Sequence, residues 1–561
     1  MAIDFNEEKQ NSRLTQLHKK EEEDLAMILA QKYGIPYIDL TITTINTNAL
    51  RLIPEDQSRK ARIAAFDLVG SRVKIGIISP RRQEVVNEIK DLERRGYIVT
   101  PYIVSTASLQ HAWTRYEDIS FASSKKGGSL DISSDDIKET MAKISTITDV
   151  RLAVEEVMGE SKSFRVSRIV EVLLAGGMAV GASDIHFEPE AESVQVRYRL
   201  DGVLRVISDI DPQTYKLVLS RVKLLSGLKL NLSGDAQDGR FSVKLGDVEI
   251  ELRVSVIPGS YNESIVIRLL NPENIQTKIT EMGIPPFLMN ILENEVNRPN
   301  GLILNTGPTG SGKTTTLYSF LRRKKGPGIK IITIEDPIEY HLPGVVQTQV
   351  DKKKQYNFAS GLRAALRQDP DVMMVGEIRD AETAEIAIHS SLTGHLVFST
   401  LHTNNAAGAF PRLIDLGVDP KIMSSAINMV IAQRLVRRLC PHCKIESEIP
   451  TDRKEMIEKI FFNTPHNDLD KIPDHIYKST GCDKCQDSGY KGRIGVFEAI
   501  RTDANISKAL EEKPSSREIQ RVARSQEIWT LQEDGINKVL KGITTLEELD
   551  RVLDMENKNT A

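Results

Sequence analysis

The sequence predicts an α/β protein, a P-loop core on a parallel sheet preceded by smaller α/β modules and followed by a cysteine subdomain and a helical tail. Three observations carry this. Gly301 to Thr316 reads GLILNTGPTGSGKTTT, an apolar run, a glycine-rich loop and a helix start. Two further apolar runs end in carboxylates (IITIEDPIEY from Ile331, DVMMVGEIRD from Asp371) and a third is flanked by histidines (TGHLVFSTLHTN from Thr393), alternating with helical stretches as parallel α/β sheets do. At 561 residues the chain is also too long for one core, so three or more domains are expected.

In chain order, residues 1–118 read as a small α/β module. Glu21 to Lys32 has Leu25, Ile28 and Leu29 at helical spacing and stops at Gly34. Arg72 to Ile78 alternates as a strand, with Val73, Ile75 and Ile77 on one face, and breaks at Pro80. Residues 119–143 are expected to be a flexible linker, because Ser120 to Asp136 (SFASSKKGGSLDISSDD) is nearly free of large apolar residues. A second module, 144–271, opens with a helical pattern around Ile169, Val172 and Leu173. Strands follow at Val194–Leu200, Arg240–Leu245, Val248–Val256 and Ser264–Leu270, with a turn at Pro258-Gly259. The core is expected over 272–561, including a cysteine subdomain at 438–488. Near the end, Thr545 and Glu548 have capping-box spacing before a helix carrying Leu549, Val552 and Leu553. No internal repeat is present.

Composition excludes several classes. Apolar residues are 40% and charged residues 27%, a globular profile. Seventy-four basic against 78 acidic side chains give −4, which advertises neither nucleic acid nor anionic lipid. The longest weakly polar stretch, Val172 to Ala182, is too short to span a bilayer, and the acidic start (MAIDFNEEKQ) has no apolar signal core. A cytosolic chain is expected.

The loop Gly307-Pro308-Thr309-Gly310-Ser311-Gly312-Lys313-Thr314-Thr315 satisfies GxxxxGK[ST]. Its glycines allow backbone N–H groups to turn onto phosphate oxygens. Lys313 is expected on the β- and γ-phosphates of ATP and the Thr314 hydroxyl on Mg²⁺. Of the strand-end carboxylates, Glu335 with Asp336 and Glu377, one is expected to serve Mg²⁺ and another to take a proton from water. His395 and His402, with Thr403, read as a γ-phosphate sensor.

The only four cysteines form Cys440-x2-Cys443 and Cys482-x2-Cys485. Two thiolate pairs suit tetrahedral Zn²⁺, and four protein ligands leave no open position, so the metal is expected to be structural.

These motifs, with Ser183 to Pro189 (SDIHFEP), Val196 to Gly202 (VRYRLDG), Gln237 to Arg240 (QDGR) and Gly34 to Leu40 (GIPYIDL), resemble the secretion-superfamily ATPases, the motors of type II secretion and type IV pilus assembly. The resemblance covers nearly the whole chain outside the linker. It implies a RecA-like core, a second domain (PAS-like) whose arginines reach the phosphates, and a homo-hexamer peripheral to the membrane at the cytosolic face of the inner membrane. It carries the arginine role onto Arg197, Arg199 and Arg240, with action within the subunit or across a subunit interface left open for each. It makes Glu335 the base and Glu377 the Mg²⁺ contact, roles that can be exchanged. Gly376, where many P-loop enzymes place Asp, is typical of the family. The implied partners are an inner-membrane platform protein and the machine's docking components, met by the N-terminal module. Some relatives bind cyclic di-GMP there through an Arg-Leu-Gly repeat; here Arg13-Leu14 precedes Thr15, and binding of that ligand is left open. The competing reading, a nucleic-acid-translocating hexamer, is opposed by the acidic balance and the lack of a basic aromatic stripe.

Overall fold

The computed structural model describes residues 22–116 and 134–555, apart from 44, 51, 70, 160–161, 247, 272–277, 352–353 and 468. The Arg13-Leu14-Thr15 segment and most of the expected linker lie outside them. The chain divides into two compact units, Met1–Asp131 and Ile132–Ala561.

In the first unit, strands β1 (Ile63–Val69) and β2 (Arg72–Ile77) form an antiparallel hairpin. The helix Gln83–Arg94 then crosses over to β3 (Ile98–Ile103), parallel to β2. Val73, Ile75 and Ile77 are fully buried, as the alternation requires. The helix over 22–33 ends where Gly34 takes φ +65° and the Ile35 N–H bonds back to the Ala30 carbonyl at 3.2 Å, a Schellman closure. Of the three apolar residues at helical spacing, Leu29 packs on the core. Ala26 and Ala30 are buried, whereas Leu25 and Ile28 are 57% and 61% exposed within this unit.

The second unit begins earlier than composition suggests. Residues Ser134–Lys143, inside the expected linker, form a helix whose Ile137 is buried, with Met141 one turn on packing beside it. One apolar stripe is enough to seat a helix that its charge content disguises. Six strands follow: β4 (Asp184–Pro189), β5 (Val194–Leu200), β6 (Val203–Ile210), β7 (Gln237–Leu245), β8 (Val248–Ile257) and β9 (Ser264–Leu270). They form an all-antiparallel sheet in the order β6-β5-β4-β9-β8-β7. Gly176 and Gly177 let the helix Lys162–Ala179 lie close, since a Cβ at Gly176 would stand 2.9 Å from Val150 and one at Gly177 3.1 Å from Ile185.

The core sheet has the order β12-β11-β13-β14-β10-β15-β18. Its strands are β10 (Gly301–Thr306), β11 (Ile331–Glu335), β12 (Val346–Gln349), β13 (Val372–Val375), β14 (Leu396–Leu401), β15 (Ile427–Leu439) and β18 (Tyr490–Arg501). All run parallel except β18. Every residue of β10, β11, β13 and β14 is buried, which explains why they read as unbroken apolar runs. Between β15 and β18 the chain makes a small hairpin, β16 (Ile445–Glu448) and β17 (His475–Lys478), with the helix Thr451–Asn463.

At the C-terminal tail Thr545 caps the helix Leu546–Val552 by accepting the Glu548 N–H at 3.2 Å. The reciprocal half of the expected capping box is missing. The Glu548 carboxylate turns inward and accepts from Arg437 Nε at 2.9 Å and Arg551 Nε at 2.9 Å. Burial opposes its ionisation, but the two guanidiniums outweigh it and hold the carboxyl below its usual range. Among the described residues no helix is long and apolar enough to cross a membrane.

The second unit also buries an ion pair. Lys223 Nζ lies 2.6 Å from Glu263, and the two side chains are 2% and 6% exposed. Removing one partner leaves the other charged and unmatched in the interior. Glu263→Ala is therefore expected to cost about 3–5 kcal/mol, read as a lower urea midpoint of the transition that unfolds this lobe.

Candidate functional site

The site is built where parallel strands end. The loop after β10 runs directly into the helix Lys313–Lys324, whose free N–H groups face the loop. Gly307 and Gly312 have φ +151° and +90°. A Cβ at Gly307 would lie 2.6 Å from the Gln433 carbonyl oxygen, so glycine there is a steric requirement of the β15 crossing. Lys313 folds back and donates to the carbonyls of Gly307 at 2.7 Å and Pro308 at 3.0 Å. Burial, reinforced by nearby Arg434 and opposed by Glu377, lowers its pKa to about 8. That is an ammonium short of anionic partners.

Glu335 is the last residue of β11 and is buried. Its carboxylate accepts from Thr333 Oγ1 at 2.5 Å, from Gln347 Nε2 at 3.1 Å and from the Tyr318 hydroxyl. Burial raises its pKa despite these three donors. Glu377, just past β13, sits 2.6 Å from Arg379 Nε and 3.4 Å from His402 Nε2. His402, just past β14, is held below its ordinary pKa by burial and by Lys313, with Glu377 pulling the other way. Thr403 anchors this turn, its N–H donating to Thr306 Oγ1 at 2.8 Å.

These groups converge on one cleft of about 470 Å³, lined by Thr309 through Thr315, Glu335, Asp336, Gly376, Glu377, Arg379 and His402. Gly307 and Pro308 contribute carbonyls to Lys313 without facing the cleft. His395 is a correction. It lies at the opposite end of β14 from His402, with Nδ1 3.1 Å from the Ser390 carbonyl, because six residues of extended strand separate the two histidines.

The arginines named from the motifs lie away from the cleft of the single chain. Within this chain none of Arg197, Arg199 and Arg240 lines the cleft. Arg197 pairs with Glu188, Arg199 lies 3.4 Å from Asp184, and Arg240 is exposed on β7. The second lobe instead supplies Arg268 of β9. Asp184 of β4 stands directly across from both Arg199 and Arg268 and accepts from Arg268 Nε at 2.9 Å. The row Arg199, Asp184, Arg268 thus crosses three strands, and its far end reaches the cleft. Arg253 of β8 also grips the core, donating to Glu339 at 3.1 Å and to the Ile338 carbonyl at 2.6 Å. From β18, Arg493 completes the wall.

Cys440, Cys443, Cys482 and Cys485 come together with all four sulfurs within 4.8 Å of one another. Three Sγ···Sγ separations are 3.9, 3.7 and 3.7 Å. Bonds of ~2.3 Å in a tetrahedron require about 3.8 Å between sulfurs. The N–H groups of Cys482 and Gly489 each donate to Cys485 Sγ at 3.2 Å, as suits a thiolate ligand. The donor set therefore fits Zn²⁺.

Comparison with known proteins follows the same division of the chain. The MshEN domain matches residues 33–122, and the family described as type II/IV secretion system protein matches residues 160–551. The chain belongs to the type II/IV secretion system protein family. This secretion ATPase is 37% identical over 539 residues to the type IV pilus assembly ATPase PilB of Thermus thermophilus, covering 96% of this chain and 58% of that protein's length. It is 42% identical over 399 residues to the type II secretion system protein E of Aeromonas hydrophila, covering 71% of this chain and 77% of the relative. The X-ray structure of the Legionella pneumophila ATPase DotB has the same fold, at TM-score 0.50 and 23% identity over 68% of this chain and 94% of that one. Membership makes this secretion ATPase an ATP-hydrolysing enzyme.

Sequence reasoning missed Arg268, Arg493, Tyr318 and Gln347. Arg268 carried a usable signal, as the one charge inside the apolar run Ser264–Leu270. The others reach the site through chain separations that no local pattern records.

The sulfur geometry makes a direct prediction. Reduced secretion ATPase purified without chelator should carry about one zinc per chain by elemental analysis, and less than ~0.5 would exclude the assignment.

Proposed function

We propose that this secretion ATPase works as a homo-hexameric motor that hydrolyses ATP between its two lobes. Its strokes power assembly of a type IV pilus or of a type II secretion pseudopilus through an inner-membrane platform protein. Its similarity to a type IV pilus assembly ATPase and to a type II secretion system protein E supports the class of machine. The carrying observation is the single cleft in which a desolvated ammonium, Lys313, and a buried carboxylate, Glu335, meet Arg268 from the other lobe. Such a site pulls a polyphosphate in and closes more tightly once it is filled.

In this reading Lys313 takes the β- and γ-phosphates, and Glu335 receives the proton of the attacking water. Thr314 and Glu377, a hydroxyl and a carboxylate, are the oxygen donors that suit Mg²⁺. Bound magnesium would neutralise charge on the phosphates. His402 reports the terminal phosphate, because its partner Glu377 and its neighbour Lys313 both change charge environment when nucleotide enters. Arg268 and Arg493 meet negative charge that grows during phosphoryl transfer. The four cysteines hold a structural zinc. The N-terminal module docks cytosolic parts of the machine, which places the motor at the cytosolic face of the inner membrane.

Phosphate release from the purified hexamer tests this. Lys313→Ala should lower turnover at least about a hundredfold by removing the phosphate clamp. Glu335→Gln should lower it about 10²- to 10⁴-fold by removing the base. Turnover equal to wild type in Glu335→Gln removes it as base.

A pH profile adds a sign. A base works deprotonated, and burial holds this one above the usual carboxylate range. Activity should therefore fall on acidification at a higher pH than an ordinary glutamate titrates, about 4.3. A kcat/KM profile flat down to that value removes Glu335 from the role.

A further inference from the structure

Asp201 and Gly202 form the turn between β5 and β6, and no role above uses them. They take φ +48° and +86°, the pattern of a tight two-residue hairpin. From this turn the Asp201 carboxylate accepts the backbone N–H of Gly492 at 2.9 Å, in the motor core. Four residues on, Arg205 Nη1 donates to the carbonyl of Gln486 at 2.6 Å, the residue after Cys485. The second lobe thus holds the cysteine knuckle and the start of β18 at two points.

Gly492 is where the β15–β18 ladder changes register. Arg437 faces Arg493 and Leu439 faces Tyr490, so Lys491 and Gly492 together oppose Arg438. Such a bulge takes one residue out of the ladder and re-aims its neighbour. Gly492 has φ +77° with nothing within 4 Å of a Cβ, so backbone conformation rather than space selects glycine. The next residue is Arg493, which lines the cleft.

We infer that Asp201 is a positioning residue for the nucleotide site: by holding the Gly492 amide it fixes the bulge from which Arg493 enters the cleft. Arg205 steadies the same segment from the knuckle side. The inference rests on the ATP reading of the cleft, because Arg493 needs an anion opposite Lys313 to act on. Closure of the lobes and placement of Arg493 are then one event, since the Asp201 turn belongs to one lobe and the bulge to the other.

The test compares Asp201→Gly, Asp201→Asn, Arg493→Ala and the double variant Asp201→Gly/Arg493→Ala in the full-length protein. Glycine keeps the positive φ and deletes the acceptor, whereas asparagine keeps both. Asp201→Gly should lower kcat/KM for ATP about tenfold and Asp201→Asn less than about twofold. The double variant should be no worse than Arg493→Ala alone, as expected of groups acting through one contact. In nucleotide-free protein, amide exchange in the peptide spanning residues 486–493 should speed up in Asp201→Gly and not in Asp201→Asn. Unchanged exchange in Asp201→Gly, or losses that multiply in the double variant, would overturn the inference. Absent phosphate release from the wild type defeats the ATPase reading instead, whereas turnover undiminished in Asp201→Gly defeats the positioning role of Asp201.

Discussion

Strand direction is the constraint on which the rest of the secretion ATPase depends. Six strands of the core sheet run the same way, so whatever follows β10, β11, β13 and β14 emerges on one edge. That edge receives the phosphate loop, Glu335, Glu377 and His402, although more than 90 positions separate the first from the last. Hydrogen bonding across fully buried strands fixes their relative height, and side chains at their tips are aimed without any loop having to find its place.

Electrostatics then follows from burial. Lys313 and Glu335 are both held in a form ready for a partner, the ammonium weakened and the carboxyl made more basic by the same loss of water. The second lobe answers with cations: Arg268 at the cleft, braced by Asp184, and Arg253 on the Ile338–Glu339 segment beyond Glu335. The core by itself contains an anion site. The antiparallel sheet adds Arg268 to the wall of that site.

What could be read from sequence was whatever a short window contains. The phosphate loop, the strand-end carboxylates and the paired cysteines are local patterns with a chemical reason, and the fold brings each set together. His395 precedes β14 and His402 follows it, so six residues of strand set them at opposite ends and only His402 reaches the loop. Arg197, Arg199 and Arg240 were chosen from motifs and within one chain stay out of the cleft, whereas Arg268 of β9 lines it; no short window tells which of the six strands delivers an arginine there. The helix Ser134–Lys143 was hidden by its charges, and the outward Leu25 and Ile28 show that helical spacing alone does not say which side of a helix is covered. Glu548 satisfied a capping rule in sequence and was claimed by two guanidiniums in the folded chain, a stronger attraction than a terminal N–H.

β15 and β18 have a mechanical consequence. They are 13 and 12 residues long, and β15 continues past the end of β10, over the phosphate loop, to carry the cysteine knuckle at its tip. Paired along that length, they form a stiff beam of about 40 Å. The phosphate loop meets this beam at Gln433, about 20 Å before its tip at Leu439, so each degree of tilt there moves the tip by roughly 0.35 Å. The phosphate loop and the cysteine knuckle therefore rest on one continuous piece of sheet, and neither can shift without the other.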